Sequence, residues 1–236
     1  MIGLGMLKRI VRKRSRLLGL TLVLITGCTV GVCWHLASNP FPIDKLEALH
    51  ASPALTDAKG HTLSRALTID EQWRLPVPLE DISPWLRKAT VAVEDERFAD
   101  HHGVDFVSVG RASLQNLLAG RVVSGASTLD MQLCRMLDPR PRTFGAKLSE
   151  AARAWQADDW LTKEEVFEAY LNLAPYGGNL QGAEAASLRY FGKSADELSL
   201  PEAALLAGIP QSPARLRPDR FPEKAKKRRN KVLDRM

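Results

Sequence analysis

Cysteine is scarce in this chain and poorly placed for chemistry. The three thiols are Cys28, Cys33 and Cys134, which leaves no disulfide framework, no CxxC pair and no Cys/His metal spacing. Aromatic residues make up only 6% of the 236 positions, and no zinc-finger, RNP or basic-zipper pattern occurs. Internal repeats and low-complexity segments are missing too. What remains is an ordinary apolar and charged composition, enough for one sizeable core.

The net charge of +6 invites a nucleic-acid reading until it is located. Lys8, Arg9, Arg12, Lys13, Arg14 and Arg16 lie in the first sixteen residues with no acid among them, and without those six the rest of the chain is neutral. From Ala214 onward ten basic residues face only Asp219, Glu223 and Asp234. Positive charge therefore sits at the two ends, and no nucleic acid is expected as a partner.

Long apolar runs are absent with one exception. Leu17 to Ala37, LLGLTLVLITGCTVGVCWHLA, holds 21 residues with His35 as the only ionisable group apart from thiols. That length crosses a hydrocarbon core of roughly 30 Å. The basic block before it, with no Lys or Arg after it until Lys45, predicts a cytoplasmic N-terminus and a body outside. Two other readings stay open: a cleaved signal peptide, and a lipoprotein processed at "ITGC" with lipid on Cys28.

The expected organisation is a basic tail over 1–16, an anchor over 17–37, a linker with a small β element over 38–80, and a body over 81–236. The fold class is mainly α. Within 54–78, Asp57-Ala58-Lys59-Gly60 reads as a hairpin turn. Ser83 before Pro84 predicts a helix start. Thr162 with Glu165, and Ser199 with Glu202, are capping boxes ahead of apolar runs. The helix after Thr162 places Val166, Tyr170 and Leu173 on one stripe, and "PEAALLAG" should stop at Gly208. Loops are expected at "AGRVVSGAST", "DPRPRTFG" and "APYGGNLQG".

Chemistry concentrates in "VAVEDERFADHHGVD", residues 91–105. Composition alone would make this a solvated charge run. Its pattern is more ordered: Glu94-Asp95-x-x-Phe98-x-x-His101-x-Gly103. There follow "GAST" at 125–128 with Gln132, then Lys147 and Glu150, then "KEEVFEAYLN" at 163–172, then "RRNKVL" at 228–233. Lys147 and Glu150, three apart, share a helix face, which alone would be an ordinary surface pair.

In that order these five segments resemble the motifs of family 51 peptidoglycan glycosyltransferases, the polymerising domain of class A penicillin-binding proteins and of monofunctional transglycosylases. "STLDMQ", "DPRPRTFG" and "SPARLRPDRFPE" look most like the 1C type, and the likeness runs from about Ser83 to the end. It implies a lysozyme-like fold and an inverting polymerisation of lipid II into β-1,4 glycan with loss of undecaprenyl pyrophosphate. Glu94 would be the general base and Glu150 the second catalytic carboxylate. Asp95, Phe98, His101, Ser127, Thr128, Gln132, Arg135, Arg142, Lys147, Asn172 and Arg229 would bind substrate, although Glu168 and Asn172 also read as braces. Magnesium or manganese held by Glu150 and pyrophosphate is the implied cofactor, with no organic one. Implied partners are lipid II, the growing glycan chain, the membrane, and a separate transpeptidase with other cell-wall proteins. The implied location is the bacterial inner membrane, single-pass, with the catalytic domain outside.

Elementary chemistry agrees with Glu94. A sugar hydroxyl attacks well only if a base takes its proton as the bond forms, and a carboxylate at the end of an apolar helix can be raised toward that task by desolvation. The chain also departs from the pattern. Asp130-Met131 stands where most members carry Thr-Gln, Ala146 replaces an arginine, and Ser149 replaces a basic residue, so two positive charges are expected to be missing beside the pyrophosphate. No serine has lysine three residues later and no Lys-Thr-Gly occurs, so either a monofunctional enzyme or a truncated bifunctional one is expected. A lytic muramidase-type enzyme and a catalytically weak lipid II-binding scaffold are the competing functions.

Overall fold

The computed structural model describes residue 23 and residues 26–121, 125–141 and 143–236. Two compact units divide the chain, Met1–Pro40 and Phe41–Met236. In the first, residues 26–38 form helix α1, and Asn39 Nδ2 donates to the His35 carbonyl at its end (2.9 Å). Among the described residues no helix is long and apolar enough to cross a membrane. Residues 17–22, 24 and 25 of the expected anchor lie outside the described set.

The second unit opens with the short helix α2 (Ile43–Glu47) and a hairpin of β1 (Ala54–Thr56) and β2 (Thr62–Arg65). Asp57 makes the turn: its Oδ1 accepts from Lys59 and His61 backbone N–H, both at 2.8 Å, and Gly60 supplies the positive φ. The hairpin is the one expected. "APYGGNLQG" is not a plain loop. It holds β4 (Pro175–Gly177) and β5 (Leu180–Gln181), and β5 pairs in parallel with β3 (Trp73–Arg74). Residues before position 80 are thus hydrogen-bonded into the body. Arg74 tightens this join, donating to Gln181 Oε1 (2.7 Å), Asp70 Oδ2 (2.7 Å) and the His50 carbonyl (2.9 Å).

Helices make the rest: α3 (Pro84–Glu94), α4 (Phe106–Ala119), α5 (Leu129–Leu137), α6 (Phe144–Ala157), α7 (Lys163–Leu173), α8 (Ala183–Phe191), α9 (Leu200–Gly208), α10 (Pro213–Leu216) and α11 (Pro222–Arg235). Ser83 caps α3 as expected, accepting from Trp85 N–H with Pro84 at the first position. Both capping boxes form. Val166, Tyr170 and Leu173 are buried as the stripe predicted. Helices α3, α9 and α11 pack together, and α5 packs between α6 and α7. Their shared core, with Leu86, Leu129, Leu171 and Leu206 wholly buried, holds the end of α3 against the start of α5.

Candidate active site

Glu94 is the last residue of α3, and Asp95 leaves the helix at φ −159° and ψ 77°. The Asp95 carboxylate turns inward. Its Oδ2 accepts the Leu129 N–H at 2.9 Å, satisfying an open donor at the start of α5, and His101 Nε2 lies 3.2 and 3.1 Å from its two oxygens. Thr128 caps α5 by accepting from Met131 N–H, and its Oγ1 donates to the Gly103 carbonyl at 2.6 Å. Gly103 itself is pressed on α6: a Cβ there would lie 1.9 Å from the Ala154 carbonyl oxygen. Only glycine fits, and the loop behind Glu94 is clamped between two helices.

Glu94 is treated differently from its neighbour. Its side chain is 11% exposed. Gln132 Nε2 donates to its Oε2 at 3.1 Å, while Oε1 has no hydrogen-bond partner among the described residues. The nearest cation, Arg228 Nη2, stands 4.0 Å from Oε1. Burial pushes the carboxyl above its ordinary range, opposed by the Gln132 hydrogen bond and by the charges of Arg228, Arg235 and Arg135. Arg228 is held by its Nε on the Gly208 carbonyl (3.3 Å), and Arg235 donates to the Val93 carbonyl (3.0 Å). Below lie Tyr170 and Tyr176, wholly buried phenols raised by burial and then by the Glu94 charge.

Glu94 lines a cleft of about 950 Å³, with Ser127, Gln132, Arg135, Gln211 and Arg235 among its walls. A side pocket of about 70 Å³ shares Glu94, Asp95, Arg111 and Ser127 with the cleft and adds Asp105, Ser108 and Thr128. A carboxylate therefore shares one concave space with hydroxyl, amide and guanidinium groups.

The other expected residues fall into distinct places. Phe98 is buried and packs on Phe167 with ring centres 5.6 Å apart. Asn172 spends both ends of its amide on Val77, accepting its N–H at 3.0 Å and donating to its carbonyl at 2.8 Å. Glu168 accepts the Leu79 N–H at 2.8 Å. These two brace the chain before α3. Lys147 is exposed and Glu150 half-buried on α6, and neither lines the cleft or the side pocket. Arg229 pairs with Asn230. Arg142 lies outside the described residues.

Two of the departures lie in the packed interior. Asp130 is 0% exposed and receives Lys163 Nζ at 3.0 Å. Ser149 is buried at 6% exposure on α6, so a basic side chain there would enter the packed interior. Arg235 lies outside the motifs singled out in the sequence, and Arg228 enters there only within RRNKVL. Their spacing was the available signal: Arg228, buried Val232 and Arg235 follow at i, i+4 and i+7 on one face of α11.

Residues 59–236 match the family model described as Transglycosylase. The chain is 48% identical over 217 residues to penicillin-binding protein 1C of Escherichia coli (strain K12), covering 86% of this chain and 28% of that protein. It is 39% identical over 224 residues to penicillin-binding protein 1A of Aquifex aeolicus (strain VF5), covering 93% and 30%. A crystal structure of penicillin-binding protein 1A from Haemophilus influenzae aligns at a TM-score of 0.42 and 24% identity, over 80% of this chain and 18% of that one. The chain spans less than a third of the length of these curated relatives.

Proposed function

Because this chain belongs to the transglycosylase family, we propose that it is a peptidoglycan glycosyltransferase that polymerises lipid II, with Glu94 as general base. The observation that carries the proposal is the state of Glu94: a desolvated carboxylate with one oxygen free of hydrogen bonds, on the wall of a large cleft. A base with a raised proton affinity is suited to taking the proton of an attacking 4-hydroxyl. That oxygen attacks the donor's anomeric carbon, the bond to pyrophosphate breaks, and the configuration inverts.

Arg135 supplies positive charge on the cleft wall, and Ser127 and Gln132 supply hydrogen bonds to sugar hydroxyls. Glu150, with Lys147 one turn away on α6, is the carboxylate that would hold magnesium or manganese against pyrophosphate oxygens, since that ion takes few protein carboxylates and completes its shell from phosphate. The ion would neutralise leaving-group charge. A lipid-linked substrate also fits the surface. Helix α4 exposes Phe106, Val107, Leu114, Leu117 and Leu118, an apolar face suited to a bilayer boundary. The apolar run from Leu17 to Ala37 would anchor the chain in the bacterial inner membrane with the catalytic body outside.

Incubating the purified protein with lipid II tests this directly. Glycan polymer with released undecaprenyl pyrophosphate is expected. Cleavage of preformed glycan would favour a muramidase, and binding without product a scaffold. If excess chelator followed by magnesium leaves polymerisation unchanged throughout, the ion drops out of the proposal.

A further inference from the structure

Behind Glu94, two carboxylates and an imidazole meet. One ligand atom from each of Asp95, His101 and Asp130 lies within 4.8 Å of the others, and all three residues are buried. Asp130 has no exposed surface, and its Oδ2 has no hydrogen-bond partner among the described residues. Among the described residues Lys163 is the only ammonium in contact, at 3.0 Å from Asp130 Oδ1, and it also serves Asp158 at 3.4 Å. A wholly buried carboxylate oxygen without a hydrogen-bond partner calls for a ligand that accepts its lone pairs.

The spacing suits a metal ion. His101 Nε2 stands 3.1 and 3.2 Å from the Asp95 oxygens, which is the separation of two donors each about 2.1 Å from a common ion. Lys163 takes only Oδ1 of Asp130, leaving Oδ2 free. One imidazole with two carboxylates is a donor set of the zinc and manganese class, not of calcium.

We propose that Asp95, His101 and Asp130 bind one divalent ion of the zinc class as a buried clamp. Asp95 directly follows Glu94, and Asp130 lies on α5 two residues before Gln132, so the ion ties together the two segments that hold the base and its hydrogen-bond donor. Its role is structural. Glu150 takes no part in it, and the test reads metal, not turnover.

The full chain, stripped with chelator and desalted, should be titrated with Zn²⁺ by calorimetry and with Co²⁺ by visible absorption. One equivalent bound, with ligand-field bands and a raised melting temperature, is expected. Asp130→Asn keeps size and packing and should weaken binding at least tenfold. His101→Gln should do the same, and circular dichroism will show whether each variant folds. Lys163→Met removes the competing ammonium and should bind at least as tightly as the parent. The proposal fails if no stoichiometric binding occurs, if folded Asp130→Asn binds as the parent does, or if folded Lys163→Met no longer binds.

Discussion

Glu94 and Asp138, two carboxylates at helix C-termini, receive opposite treatment. Glu94 closes α3, and Asp138 follows the last residue of α5. Both sit where the helix dipole disfavours negative charge. Asp138 is met by three cations: Lys45 on Oδ1, Arg140 Nε at 2.9 Å and Arg153 Nη1 at 2.6 Å. These hold its carboxyl well below the ordinary range, against a smaller cost of burial. Glu94 has an amide at 3.1 Å and its nearest guanidinium at 4.0 Å, and burial wins. The difference teaches that charge near a carboxylate is not enough to make it structural. Direct contact makes Asp138 a joint between α2, α5 and α6, whereas Glu94 keeps one oxygen without a hydrogen-bond partner among the described residues.

The sharpest way to break this comparison is Glu94→Gln, which keeps shape and removes the proposed base. General-base contributions run to about 10²–10⁴-fold, so polymerisation of lipid II should fall by that order while lipid II affinity changes little. A variant polymerising within threefold of the parent would put Glu94 in the same class as Asp138.

Asp138→Asn is the counterpart and should cost stability instead of rate. It leaves Arg153, nearly buried, without its anion. Breaking a fully buried pair costs about 3–5 kcal/mol; with Asp138 itself one-fifth exposed, about 2 kcal/mol is expected in urea unfolding. The pH dependence follows from the lowered folded pKa. The stabilisation is complete above the unfolded Asp value and is lost as pH falls through the folded one, so parent and variant should converge only in strong acid.

Glu94 has the opposite linkage. Its folded pKa is raised, so its ionisation opposes folding once pH exceeds the unfolded value. Glu94→Gln should therefore raise stability at neutral pH by roughly 1 kcal/mol, the usual scale of stabilising changes at functional positions. No gain in melting temperature at pH 7, or a gain only below pH 4, would contradict it.

The smallest effect concerns tuning. Arg228 lowers the proton affinity of Glu94, so Arg228→Gln should move the acid limb of the rate profile to higher pH and cost a few-fold in rate near neutrality. An acid limb that stays in place would mean that 4.0 Å is too far for the guanidinium to matter.

Much of this was legible in order along the chain. The Asp57 turn, Ser83 with Pro84, and both capping boxes are contacts between residues at most four apart, so short spacing encodes them. Glu94 and Gln132 were legible as parts of motifs, although their 3.1 Å contact was not. Arg235 escaped because its partner is a backbone carbonyl 142 positions away.

The sequence by itself determined the family, the helical body, the local caps and the candidacy of Glu94, because these rest on residue type at fixed short spacing. Only the tertiary structure decided which acids face solvent, cation or core. Asp130 and Ser149 read as departures beside the substrate, yet the α5–α7 and α5–α6 contacts turn them inward. Whether a carboxylate binds a proton, a lysine or a metal depends on its desolvation and on charges within a few ångströms, and those neighbours come from helices far apart in the chain.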